Sequence, residues 1–293
     1  MPEQPSANPA ITADQASGWR ALNPAVYLVS VLPGVGVALL AHQDIWWAGL
    51  ISATFAVVLL QHAINLFNDV SDWRLGADVE KSDSWIRVHR GDLRVATLHG
   101  ALSAVAGILL GIATLVVADK LWILLIAAPM VVLGYLYNAG ERPLSYTAMG
   151  EWVTGLCYGP GVFGCLYLLA YGSIDVPGAI GMLTFGALAM ALLLSHQPPQ
   201  IETDRAAGKH SFAVRYGREM TVRVAWGLYL LALFSFALAA HLADQSLVLG
   251  AFLGCAVLVL LLSLPKTPNP RLFMLGANGV FSATLLIALL FRG

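Results

Sequence analysis

Asn65, Asn68, Asp69 and Asp72 stand three or four residues apart near the end of a long apolar run, with Gly76 and Asp78 just beyond. On a helix this spacing, continued from Gln61, gives one polar stripe. Carboxylates at the end of an apolar helix are costly unless something cationic meets them. Asp and Asn oxygens without His or Cys suit a hard ion such as Mg²⁺, which keeps several waters and commonly bridges to phosphate. Capping and solvated loop charge account for Asp78, Glu80 and Asp83. They do not account for Asn65, Asn68, Asp69 and Asp72 on one face, which read as a place for a metal and a phosphate.

A second stretch of the same character lies far along the chain, Glu202-Thr203-Asp204-Arg205-Ala206-Ala207-Gly208-Lys209. His196, Gln200 and Asp204 repeat at four-residue spacing, and Pro198-Pro199 interrupts the helix that carries them. Proline frees carbonyls by withholding amide donors, and at membrane depth such a break is tolerated where it lines a cavity or is buried in protein. Arg87, Arg90 and Lys209 flank the acidic stretches. Arginine offers a fork for phosphate oxygens and lysine a point charge, although the same residues also set topology. Tyr137 to Tyr146 forms a short turn before Gly150-Glu151, where the carboxylate suits a helix N-terminus. His62, His89, His99 and His210 have no ligand-spaced His or Cys partner and are expected to be structural. Cys157, Cys165 and Cys255 lie in apolar segments and are expected to be small core residues.

The elements that must position these stretches are membrane helices. The chain of 293 residues is 58% hydrophobic and only 11% charged, whereas soluble domains have about a quarter charged residues. The net charge of -1 gives no basic excess for nucleic acid. Nine apolar runs are long enough to span: 23–41, 45–68, 95–118, 121–138, 150–171, 178–197, 220–242, 246–264 and 271–291. With the N-terminus inside, all of the 16 Lys and Arg except Lys120 and Arg292 fall on the inner side, as the positive-inside rule requires. Both acidic stretches land on that cytoplasmic face. Trp19, Trp46, Trp47, Trp85, Trp122 and Trp152 sit near the expected interfaces. Residues 1–18 lack the basic start and apolar core of a signal peptide and read as a disordered cytoplasmic tail, leaving 19–293 as one transmembrane domain. No acid lies mid-span and no broken helices recur in matching halves, which disfavours a transporter.

At these residues the sequence resembles the UbiA superfamily of intramembrane prenyltransferases, and within it the MenA-type branch. The match rests on Asn65-x-x-Asn68-Asp69-x-x-Asp72 with Gly76-x-Asp78, on Tyr137 through Glu151, and on Ile201 to Lys209 followed by Val214-Arg215-Tyr216-Gly217. The resemblance implies an all-α bundle around a central cavity, in a bacterial inner membrane. It implies Mg²⁺-dependent transfer of a polyprenyl group from polyprenyl diphosphate to an aromatic acceptor, 1,4-dihydroxy-2-naphthoate on the route to menaquinone. It gives Asp69, Asp72 and Asp204 catalytic roles, with Asn68, Asp69, Asp72 and Asp204 at metal, and Asn65, Asp78, Arg87, Lys209 and Tyr137 at substrate. The family usually has an acid four residues before Asp204, where this chain has Gln200. Glu202 is the nearby carboxylate that could take its place at the metal. The departure leaves two alternatives open, a different acceptor or a non-catalytic isoprenoid- or quinone-binding homologue.

Overall fold

The computed structural model describes residues 17–41, 44–77, 83–140 and 143–263, with 283, 287, 288 and 290 near the C-terminus. The expected tail lies outside these residues except at its last two positions. Among the described residues the architecture is all-helical. After the short α1 (Gly18–Leu22) come α2 (Pro24–Leu39), α3 (Trp47–Leu75), α4 (Trp85–Val88), α5 (Leu93–Val117) and α6 (Leu124–Asn138). Then follow α7 (Gly150–Leu156), α8 (Cys165–Tyr171), α9 (Val176–His196), α10 (Ile201–Ala206), α11 (Phe212–Leu242) and α12 (Ser246–Ser263).

Among the described residues, six segments are long and apolar enough to cross a membrane: Trp47–Leu75, Leu93–Val117, Leu121–Asn138, Gly150–Tyr171, Val176–Ala206 and Phe212–Leu242. Two shorter apolar helices, Val26–Leu39 and Ser246–Ala256, match the first and eighth expected runs. The ninth run, 271–291, lies almost wholly outside the described residues.

Three departures from the expected runs matter for the site. First, α3 continues well past position 68 and ends only at Gly76, whose φ of 83° is the left-handed conformation that glycine adopts without penalty. The whole Asn65–Asp72 stripe is therefore helical. Second, the span 150–171 is not one regular helix. A π-helical turn at Cys157–Gly164, containing Pro160, joins α7 to α8, and wide turns of this kind re-aim the side chains that follow them. Third, Pro198–Gln200 forms a 3-10 turn between α9 and α10, so the chain bends there without leaving the helical path.

The core lies where α9 packs on α11 and on the π-turn, with α3 against α5 as the second main pairing. Phe163 stacks on Phe185 with ring centroids 4.9 Å apart, and Phe236 meets Phe185 edge-on at 5.9 Å. The contact between the π-turn and α9 depends on glycine. A Cβ at Gly159 would stand 2.5 Å from the Met182 carbonyl oxygen, and one at Gly186 would stand 2.9 Å from that of Gly155. Small residues allow this backbone approach between membrane helices. Five of the six tryptophans expected near interfaces are exposed; Trp85 instead is buried at 8% exposure.

Candidate active site

The site forms where the end of α3 meets the α10–α11 connection and the turn before α7. Asp72, 2% exposed, lies in the last turn of α3. Its Oδ1 accepts a hydrogen bond from the Tyr146 hydroxyl at 2.8 Å, and its Oδ2 accepts from Asn68 Nδ2 at 2.7 Å. The second bond runs one helical turn along the stripe, as the four-residue spacing requires. Asp204, on α10 and equally buried, accepts from Ser211 Oγ at 3.0 Å. Lys209 lies between the two acids, with Nζ 3.6 Å from Asp72 Oδ2 and 3.8 Å from Asp204 Oδ1. It is held there by its backbone N–H, which donates to the Asp204 carbonyl, and by its position 5.0 Å above the Tyr146 ring. Gly208, with φ of 74°, makes the reversal that turns Lys209 back onto Asp204.

A second buried network lies next to it. Glu151 Oε1 accepts from Gln197 Nε2 at 2.8 Å and from the Phe212 backbone N–H at 2.7 Å, while Arg215 Nη2 lies 3.6 Å from Oε2. Gln197 Oε1 in turn accepts from the Ala213 N–H at 3.1 Å. Glu151 caps a helix as its position suggests, but the helix is α11, not its own. Through it the start of α7, the end of α9 and the start of α11 hold one another in register.

Two cavities meet here. A small polar one of about 50 Å³ is lined by Glu151, Gln200, Asp204, Lys209 and Ser211. A large apolar one of about 680 Å³ runs between α3, α5, α6 and the α7–α8 span. Tyr137 and His196 line both, so the apolar cavity ends at the charged groups. Ile108, Ile112 and Val132 line the large cavity and are themselves exposed. As α5 and α6 pack little against each other, the cavity opens sideways between them.

The donor set fits a hard divalent cation. Two buried carboxylates and an amide supply only oxygen as ligand atoms, and the Lys209 ammonium marks where positive charge is held between them. Among the described residues no three His, Cys, Asp or Glu side chains converge as a metal cluster. A Mg²⁺ ion would therefore keep water and phosphate oxygens as most of its ligands, which is its habit.

The expected site residues are distributed as follows. Asn68, Asp72, Asp204 and Lys209 converge. Asn65 and Tyr137 line the large cavity, one end of which they make polar. Asp69 points aside, its Oδ2 accepting the Trp85 backbone N–H at 2.7 Å and so fixing the start of α4. Arg87 is half-buried on α4. Glu202 is exposed and pairs with Arg205 at 3.1 Å. Asp78 lies outside the described residues. Tyr146 and Ser211, the hydroxyl partners of the two buried acids, were not among the expected site residues. The signal for Ser211 was its place two residues after Lys209 at the head of α11.

A bundle of apolar helices whose buried acids and lysine lie at one end of a large apolar cavity defines an integral membrane protein with a charged site at the end of that cavity. The chain belongs to the UbiA prenyltransferase family, whose model matches residues 27–290, and it is a prenyltransferase. It is 30% identical over 227 residues to the 1,4-dihydroxy-2-naphthoate octaprenyltransferase of Mycobacterium tuberculosis, covering 75% of each chain. It is 28% identical to the enzyme of the same name from Bacillus subtilis, over 72% of this chain and 66% of that one. These relatives put it near the MenA-type branch. Its fold is that of a UbiA homolog from Archaeoglobus fulgidus solved with DMAPP and Mg²⁺, with a TM-score of 0.62, 16% identity and coverage of 93% of this chain and 98% of that one.

Proposed function

We propose that this chain transfers a polyprenyl group from a polyprenyl diphosphate to 1,4-dihydroxy-2-naphthoate, with Mg²⁺, on the cytoplasmic face of the membrane. The observation that carries the reading is the meeting of Asp72, Asp204 and Lys209 at the polar end of the apolar cavity. The naphthoate named for the mycobacterial and Bacillus relatives and the DMAPP and Mg²⁺ of the archaeal homologue support it.

Asp72, Asp204 and Asn68 are the residues that would hold Mg²⁺; Asp69, turned to the Trp85 N–H, and Glu202, exposed and paired with Arg205, would reach it only by turning inward. Bound Mg²⁺ supplies charge neutralisation at the departing diphosphate, a poor leaving group until its charge is met. Lys209 adds a fixed ammonium, and Arg87 a guanidinium fork, toward the same phosphates. Tyr146 and Ser211 hold the two carboxylates in orientation. Asn65 and Tyr137 stand where apolar wall gives way to polar groups, so they orient the reacting end of the isoprenoid and the acceptor. The apolar wall keeps water from the allylic carbon, which would otherwise be hydrolysed.

The test is transfer of radiolabel from geranyl diphosphate, in membranes containing the protein, to a panel of aromatic acceptors with Mg²⁺ or with chelator. Chelator-sensitive labelling of dihydroxynaphthoate is the expected result. Labelling of a different acceptor alone would change the substrate assignment. No labelling, in membranes where a known family member works, would overturn the reading.

A further inference from the structure

Three histidines that are far apart in sequence form an unbroken chain beside the site. His62 is on α3, His99 on α5, and His89 in the turn after α4. The Tyr27 hydroxyl of α2 lies 2.7 Å from His62 Nδ1. His62 Nε2 lies 3.2 Å from His99 Nε2, and His99 Nδ1 lies 3.1 Å from His89 Nε2. At the inner end, Asn65, three residues beyond His62 on α3, lines the large cavity, as do Val26 and Gln61, the chain neighbours of Tyr27 and His62. At the outer end, His89 is only partly buried and is followed by exposed Arg90.

The pattern of nitrogens has a specific meaning. Each neutral imidazole donates from one nitrogen and accepts at the other. If Tyr27 donates to His62 Nδ1, His62 donates from Nε2 to His99 Nε2, and His99 donates from Nδ1 to His89 Nε2. His89 then carries its proton on Nδ1. The opposite polarity is equally self-consistent. A line of groups that satisfies both polarities is what proton hopping requires. A mononuclear metal site is not formed, because His99 spends its two nitrogens on different neighbours. The buried Trp85 ring packs edge-on to His62 and His99, at 5.1 and 5.2 Å, and parallel to His89 at 6.2 Å. It walls one side of the chain with apolar surface.

We propose that Tyr27, His62, His99 and His89 are a proton relay between the acceptor's place in the cavity and the surface at the α4–α5 turn. The proposal rests on the reading above, that the acceptor is a hydroxyl-bearing aromatic. The acceptor O–H bond breaks and its electron pair enters the ring. The new C–C bond forms at a ring carbon while the prenyl C–O bond breaks, that pair leaving with diphosphate. The proton goes to Tyr27 as Tyr27 passes its own to His62, and one proton emerges from His89. Where the attacked carbon bore hydrogen, that proton is a net product. Where it bore a carboxylate, loss of CO₂ returns a pair of electrons to the ring oxygen, and a proton comes back along the same line and resets the tautomers. The four side chains are positioning and relay groups, separate from the residues that hold diphosphate.

The experiment measures transfer from geranyl diphosphate to dihydroxynaphthoate by the full chain in liposomes, comparing wild type with His99→Gln and with the half-exposed His89→Gln. Dilute buffer is used, with and without added imidazole. The expected result is a fall in kcat on the order of 10²-fold in both variants, with KM for geranyl diphosphate and melting temperature unchanged, and recovery when imidazole is added. Equal kcat in wild type and both variants would overturn the relay alone. So would a loss that imidazole leaves untouched, since that marks a packing role. A wild type that labels no hydroxyl-bearing acceptor would overturn the functional reading and the relay together.

Discussion

Asp72 and Asp204, carried by helices far apart in the chain, are joined by one ammonium group, Lys209 Nζ, at 3.6 and 3.8 Å. Removing a buried cation from between two carboxylates leaves like charges facing each other in low dielectric. Lys209→Met is expected to lower stability by about 3 kcal/mol in metal-free buffer. Millimolar Mg²⁺, which can take the vacated position, should restore part of the loss by binding the folded state. Thermal melting in detergent with Mg²⁺ or chelator checks this, independently of activity. A variant whose melting ignored Mg²⁺ would argue against metal between these acids.

Asp72 and Asp69 are separated by less than one helical turn but have different surroundings. Asp72→Asn keeps the side-chain shape and an oxygen for the Tyr146 hydroxyl, and removes the charge. It is expected to reduce transfer by roughly 10²–10³-fold, the range for losing one group that stabilises developing charge. Asp69→Asn keeps an oxygen for the Trp85 N–H, so its fold should be intact. An accompanying loss of transfer would then report the carboxylate charge itself. Steady-state rates beside melting curves separate the two contributions.

Glu151 is the hub of the buried network that ties α7, α9 and α11 together. In Glu151→Ala the Phe212 N–H, the Gln197 amide and Arg215 all lose their partner in a buried place. A destabilisation of about 3 kcal/mol is expected. Glu151→Gln keeps an acceptor for the first two groups and should lose about half as much. Chemical denaturation of the two variants, ranked against wild type, gives the order.

Gly159→Ala would place a methyl 2.5 Å from the Met182 carbonyl. Backbone cannot yield as a flexible side chain does, so α9 would have to move away from the π-turn. Overpacking of this kind costs about 1–3 kcal/mol. Gly111→Ala, where the nearest atom is the Ala56 Cβ at 3.8 Å, is the matched control and should change the melting temperature little. Equal melting temperatures for the two would show that the close approach carries no constraint.

The sequence disclosed the parts of the site whose signal is local. The stripe from Asn65 to Asp72 was legible because its period is that of a helix, and the helix holds it together. The second stretch was legible from charge confined between apolar runs. What escaped was contact between elements. Nothing in the spacing of His62, His89 and His99 shows that α3, α4 and α5 bring them together, and each alone reads as an ordinary structural histidine. Asp69 fits the stripe by its spacing, yet the tertiary position of α4 gives its Oδ2 a backbone amide. Glu151 reads from its position as a capping acid, but which helix it caps depends on packing. Trp85 fits an interfacial belt by position and lies in the interior because the chain folds back there.

The opening between α5 and α6 sets the units in which the proposed isoprenoid substrate is counted. With Ile108, Ile112 and Val132 exposed at that opening, the isoprenoid of the proposed reaction would reach the cavity by lateral diffusion within the leaflet. Its encounter rate depends on its mole fraction among lipids, not on moles per litre of suspension. Adding inert lipid at constant total substrate should slow the reaction by surface dilution, while changing the aqueous volume should not.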